Sequence, residues 1–342
     1  MRHRTFLLFI LPSLFVMLLF IALPIFSVAY QSFFVEHEQI LIKVENCGPF
    51  GCTDEVRVDS AAMAKQRAEK PMGELNWLGT YTNPSHLAFG EIARIWRDNP
   101  GSGAALRDIF NLPFYSALTF TIVYTLLVTP VVIVLGFIIA LAVDKVPRLI
   151  KGPVIFFSLL PMIVTPLVGS LVLFWMIDSQ GVIGANLQLL FNDPQLSLKA
   201  SPTLTWVTLF VYGVWHMAPF SFVVFYAGLQ TVPGDTLESA MIDGASRWER
   251  IRFVVIPHLM PLATFVALVQ LMDNFRVFEP IIGFSAAANA TSLSYLIFND
   301  LRGTDTPLFG SAAATSMLTI IGVVILLTPV LIRTWRDFNR KA

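Results

Sequence analysis

The sequence predicts an all-α membrane protein with six transmembrane helices, a polar insert after the first and a polar loop after the fourth. Three observations carry that prediction. Hydrophobic residues make up 55% of the 342 positions, and Asp, Glu, Lys and Arg only 13%, where a soluble domain averages about a quarter charged. The mean hydropathy is +0.69. The apolar residues also gather into runs that reach the ~20 residues a helix needs to cross a bilayer.

The first run covers 6–30, behind Arg2 and Arg4. It exceeds the apolar core of a signal peptide, about 7–15 residues, and has no clear small-x-small cleavage site. An uncleaved first span starting in the cytoplasm is expected, with Pro12 and Pro24 as tolerated kink sites. From 36 to 108 the composition turns polar. This predicts an extracytoplasmic insert, too small for a large core of its own. Cys47 and Cys52 flank Gly-Pro-Phe-Gly there. In an oxidising compartment they are expected to form a disulfide; two unpaired surface thiols are the alternative. Two Cys without His at zinc spacing argue against a metal site.

The second span is expected at 113–143, with Gly136 and Ala140 as a small-xxx-small pair for close helix packing. A basic loop follows with Lys145, Arg148 and Lys151. The third span, 154–177, should bend at Pro161 and Pro166, its freed carbonyls facing protein rather than lipid. Residues 178–201 read as an outer loop with a short helix at 184–190. The fourth span, 204–230, holds Trp215 and His216; a hydrogen-bonded structural role for His216 is the simpler reading. The fifth and sixth spans are expected at 262–283 and 309–332, before a basic tail of Arg333, Arg336, Arg340 and Lys341. With six spans, the basic segments share one side with loop 231–261, so both termini are expected in the cytoplasm. The division is then a first helix at 1–35, a periplasmic insert at 36–110 and a five-helix core at 111–342.

Loop 231–261 reads as two short helices joined by Gly244, which can take the left-handed conformation that ends a helix. Asp235 with Glu238, and Ser246 with Glu249, have capping-box spacing. Leu237, Ala240 and Met241 share one face, and Trp248, Ile251 and Val255 another. Pro257 and Pro261 punctuate the approach to the fifth span. By composition alone this is a well-capped loop between spans.

Its spacing says more. Glu238-Ser239-Ala240, then Gly244, then Val254, Ile256 and Pro257 resemble the loop of ABC importer permeases that reads Glu-Ala-Ala, three residues, Gly, nine residues, Ile, one residue, Leu-Pro. Ser239 stands for the first Ala, Val254 for the Ile and Ile256 for the Leu. Leu11-Pro12, Pro24, Gly136-x3-Ala140, Gly181-x2-Gly184 and Ala227-Gly228-Leu229-Gln230 extend the likeness. The chain thus resembles the permeases of binding-protein-dependent ABC importers, specifically the carbohydrate (maltose-type) branch. It departs from that branch at 283–291, where Thr291 is present but Gly-Gly-Pro is not.

The resemblance implies a bacterial inner-membrane location. It also implies a heterodimer with a second permease, two cytoplasmic ATPase subunits below and a periplasmic solute-binding protein outside, with lipid around the spans. Glu238, Ser239, Ala240, Asp243, Gly244 and Pro257 would form the coupling helix and its surroundings, docking in a cleft of the ATPase. The chain has no Gly-x4-Gly-Lys-Ser/Thr segment. It is therefore expected to be no enzyme and to hold no cofactor, with ATP and Mg on the partner ATPase. A formal net charge of zero suggests no nucleic-acid partner.

Gln270, Asp273, Asn274, Arg276 and Phe278 are the candidate substrate path. Charges in a span are costly and face protein or water. Asp273 and Arg276 are three apart and can pair; a structural ion pair and a role in the path weigh equally. On a continuous helix Gln270, Asn274 and Phe278 form one stripe, uniting planar polar groups with an aromatic face, as sugar rings require. A neutral solute predicts that Asp273, Arg276 and Glu279 are paired internally, whereas a charged solute predicts one left unpaired. The expected function is passage of a sugar, glycoside or polyol. The alternatives are an importer permease for a polyamine, phosphate or metal chelate, a subunit that only scaffolds its partner, and an ion-coupled secondary transporter, which leaves the loop spacing without a reason.

Overall fold

The computed structural model describes residues 3–37, 40–48, 51–99, 101, 103–303 and 307–339. Five helical stretches are long and apolar enough to cross a bilayer: Phe9–Gln31, Pro113–Asp144, Pro202–Leu229, Arg247–Phe275 and Phe309–Arg336. A sixth candidate is broken. Arg148–Ile163 and Pro166–Met176 meet at 93° where the sequence predicts a third span. The break is sharper than a proline kink because Val164 and Thr165 are extended, with ψ of 128° and 143°. The ring of Pro166 disfavours the helical conformation in the residue before it.

Contacts divide the chain into two compact units, Met1–Tyr115 with Leu296–Ile320, and Ser116–Tyr295 with Ile321–Ala342. In the first unit, the opening helix passes through a π turn at Leu18–Ala22, two residues before Pro24. The wider turn makes room for a ring that would otherwise meet the carbonyl four residues back.

The insert adds β-structure absent from the all-α expectation. Strands Leu41–Gly48 and Gly51–Val58 pair antiparallel, with Cys47 opposite Cys52, and Phe34–Val35 pairs with Glu74–Leu75. The side chains of Cys47 and Cys52 lie outside the described residues, as do residues 49–50, so the expected disulfide falls outside them too. Asp59 caps the helix Ser60–Glu69 by accepting from the Ala61 and Ala62 amides, both at 3.0 Å. His86 is buried, its Nε2 3.1 Å from both the Ser311 carbonyl and Thr315 Oγ1. Ser311 Oγ donates to Asp300 at 2.6 Å, and burial pushes the Asp300 carboxyl above its usual range. The Glu36 carboxylate accepts from the Gly310 amide. These bonds tie the insert to the start of the last helix.

In the second unit, helix Pro202–Leu229 is the hub; 44% of its apolar window is buried, more than in any other candidate span. One core cluster gathers Phe120, Tyr124, Leu209, Tyr212 and Ile281, the other Ala140, Phe222, Phe225, Leu259 and Val266. The predicted Gly136–Ala140 pair lies in this packing. A Cβ on Gly136 would overlap Ser221 Cβ and come within 2.8 Å of the Phe222 amide nitrogen. The broken pair is clamped by the hub. Tyr212 Oη donates to the Pro166 carbonyl at 2.6 Å, and the buried His216 ring lies against the Tyr212 ring. The two rings stack at 5.7 Å and 7°. His216 is thus a buried packing ring, its Nδ1 without a hydrogen-bond partner among the described residues.

Gly136→Leu should strip about 1–3 kcal/mol from the packing, as overfilled cores generally do. Thermal unfolding of the purified protein in lipid should shift downward by several degrees; an unchanged midpoint would remove this crossing from the core.

Candidate functional site

The first loop helix is Gly234–Ile242, capped by Pro233 with no side-chain hydrogen bond. The expected Asp235–Glu238 capping box is not formed. Asp235 falls inside the first turn, where its charge still favours the positive end of the helix, and Ser239 Oγ donates to its carbonyl at 2.8 Å. Gly244 ends the segment at φ +82°, as the sequence predicts. The Ser246–Glu249 capping box is complete, at 3.3 and 2.7 Å. Leu237 and Ala240 turn partly inward, while Glu238, Ser239, Asp243 and Gly244 are exposed. Ile242 is 87% exposed and Trp248 65%. Along the face read for Trp248, Ile251 and Val255, Trp248 is exposed and Val255 buried.

The second loop helix does not stop before the fifth span. Residues Arg247–Phe275 form one stretch of 29 residues, about 43 Å long at 1.5 Å per residue. A π turn at Ile251–Val255, closed by the Ile256 amide on the Ile251 carbonyl, again lies two residues before a proline. Pro257 and Pro261 therefore sit inside the helix instead of separating loop from span.

The far end also differs from expectation. The helix stops at Phe275, and Arg276–Phe278 leave helical geometry before a short helix at Glu279–Gly283. The predicted fifth span to residue 283 and its Gln270–Asn274–Phe278 stripe are broken there. Ser292 Oγ holds the turn by donating to the Val277 carbonyl at 2.6 Å. Gln270 and Asn274 face inward, each 1% exposed. Asn274 Nδ2 donates to Thr129 Oγ1 at 2.9 Å, while Gln270 Oε1 and Asn274 Oδ1 are buried without a hydrogen-bond partner among the described residues. Asp273 and Arg276 pair at 2.7 Å on the more exposed side. Phe278 is half-buried, and Glu279 is exposed and in no ion pair among the described residues. The partner Thr129 was not singled out in the sequence; its signal is the run Thr121, Thr125, Thr129 at four-residue spacing, all three buried.

A second ion pair lies in the loop before the hub helix. Lys199 Nζ is 2.9 Å from Asp178 Oδ2 and 3.4 Å from the Phe174 ring centroid. The Lys199 hydrogen bond holds the Asp178 carboxyl below its usual range.

Residues 101–337 match the family described as the inner membrane component of binding-protein-dependent transport systems. The chain belongs to this family. Its members' multi-pass membrane character agrees with the apolar helices, and the matched residues include both the loop and the polar helix end. Among similar proteins, the trehalose/maltose transport system permease of Thermococcus litoralis is 32% identical over 43% of this chain and 49% of its own length. The chain thus spans about half of that relative. The trehalose transport system permease of Mycobacterium tuberculosis is 29% identical over 74% of this chain and 80% of its own. A bacterial alginate ABC transporter, crystallised with its alginate pentasaccharide-bound periplasmic protein, shares the fold with a TM-score of 0.58. It is 19% identical and covers 71% of this chain and 85% of its own.

The Asp178–Lys199 pair has a defined pH signature. A carboxyl held low in the folded state stabilises above its unfolded pKa and loses that contribution as pH falls through the folded value. Lys199→Met should therefore unfold at lower temperature than the native protein at neutral pH, and the gap should close below the carboxylate range. A gap independent of pH would assign the loss to the Phe174 contact.

Proposed function

We propose that the chain is one of two permease subunits of an ATP-driven importer, carrying a neutral carbohydrate, glycoside or polyol handed over by an extracytoplasmic binding protein. The observation that carries this reading is the exposed helix Gly234–Ile242, whose spacing matches the importer loop and which is hinged by Gly244 to a helix continuous with the polar end. Ile242 at the end of the loop helix and Trp248 at the start of the long one present apolar surface, the kind of surface that closes against a partner. A cytoplasmic ATPase is that partner in this reading. It binds the ATP and Mg, and both termini of the chain share its side of the membrane.

At the other end, Asp273, Arg276 and Phe278 present the path, while Gln270 and Asn274 hold the helix inward. The Asp273–Arg276 pair neutralises itself, as an uncharged solute requires, while Glu279, outside any ion pair among the described residues, meets the condition set for a charged one. The names of the trehalose/maltose and trehalose permeases support the sugar class. A cationic solute such as a polyamine is the second reading, favoured by the exposed Glu279.

The test is ATP hydrolysis by the reconstituted assembly with its binding protein, across mono- and disaccharides, glycosides, polyols and polyamines. Stimulation by a neutral compound supports the first reading; stimulation by polyamines alone replaces it with the second. Basal hydrolysis with a flat response to every compound contradicts both. Two loop variants should uncouple. Gly244→Val forces a β-branched residue into the left-handed region, a strain of about 1–2 kcal/mol, and should cut solute-stimulated hydrolysis about tenfold or more. Glu238→Lys reverses the charge on the docking face and should do the same. Normal uptake in either would remove the coupling assignment.

A further inference from the structure

We propose that a groove at the foot of loop 231–261 is a binding site for an anionic phospholipid. It has a volume of about 400 Å³ and lies among Leu141, Leu229 and Val255 on its apolar side and Lys145, Arg247 and Arg250 on its polar side. None of the three cations forms an ion pair among the described residues, and Arg250 Nε is buried without a hydrogen-bond partner. The acidic member of the lining, Asp144, is already engaged. Its carboxylate accepts from Gln230 Nε2 at 3.1 Å, and its carbonyl from Lys151 Nζ at 3.0 Å. The groove is left with an excess of positive charge and a desolvated guanidinium donor, which an acceptor must meet.

Position names the ligand. The groove lies where three apolar spans end or begin, at Asp144, Leu229 and Arg247. The ends of membrane helices lie at the level of the headgroups, where Lys and Arg attract anionic lipid. An acyl chain fits the apolar wall continuous with those spans, and a phosphate fits the Arg pair. A zwitterionic headgroup would set its own ammonium against the same cations. Because Arg247 opens the long helix and Arg250 lies beside the π turn, a lipid here would brace the lever at its base. The inference does not depend on which solute is carried.

The experiment uses the complete assembly. Native mass spectrometry after exchange with phosphatidylglycerol or phosphatidylcholine reads the lipid retained per complex, with inorganic phosphate added as a competitor. Phosphatidylglycerol should be retained over phosphatidylcholine. Retention should fall about thirtyfold in Arg247→Ala/Arg250→Ala, as expected for two basic residues at a membrane surface, and largely recover in Arg247→Lys/Arg250→Lys. The lysine pair separates lost binding from a folding defect, since it keeps the charge in the same helix. Equal retention of both lipids, equal retention in the alanine variant, or displacement by phosphate alone would overturn the proposal. So would lipid uptake confined to assemblies stripped of their ATPase, which would make the groove an ATPase contact.

Discussion

The exposed loop and the polar end are joined by one continuous helix. From Arg247 to Phe275 the chain runs without a break from the hinge of the exposed loop to the polar end, so displacement at one end moves the other. Two prolines threaten that continuity. Each removes an amide donor and crowds the carbonyl four residues back, and Pro257 would do so just where loop becomes span. The π turn at Ile251–Val255 resolves the conflict by adding one residue to the turn before the ring arrives. The same device precedes Pro24 in the first span, whereas Pro130, Pro219 and Pro329 sit inside helices without one.

Around that lever the protein satisfies buried polar groups locally, as a low-dielectric surround requires. The 93° break in the predicted third span frees carbonyls that lipid cannot hydrate. Tyr212 on the hub helix takes the Pro166 carbonyl. Asn274 is fixed by Thr129 of the neighbouring helix. The turn after Phe275 is fixed by Ser292. Removing any one donor would leave an acceptor without water, at about 1–3 kcal/mol. The exposed Asp273–Arg276 pair contributes less to stability. That asymmetry suits a helix held firmly on its inward side and left free to meet solute on the other.

Much of this was legible in the sequence, and the reasons are specific. The positions of the first, second, fourth and sixth spans followed from run length, because burying about twenty apolar residues leaves few alternatives. The Gly244 stop and the Ser246–Glu249 box followed from local chemistry and depend on no distant contact. The Gly136–Ala140 crossing was readable because only small residues permit it. Three things were not. Proline was read as punctuation at Pro257 and Pro261, since a π turn leaves no compositional mark. The helix end at Phe275 was missed because Ser292, which stabilises the turn, is seventeen residues away and carries no motif. The insert was left without strands although 42–45 and 55–58 alternate charged and apolar residues around Gly-Pro-Phe-Gly. That short period-two signal was overshadowed by the polar composition of the segment.

The most direct measurement asks whether the lever must be stiff. Val255→Gly/Ile256→Gly would soften the helix where the π turn hands over to the span, leaving the docking face, the groove cations and the polar end unchanged. In the reconstituted assembly, ATP hydrolysis and solute uptake would be recorded together. The account predicts that basal hydrolysis persists while uptake per ATP collapses. Uptake per ATP equal to that of the native protein would contradict it.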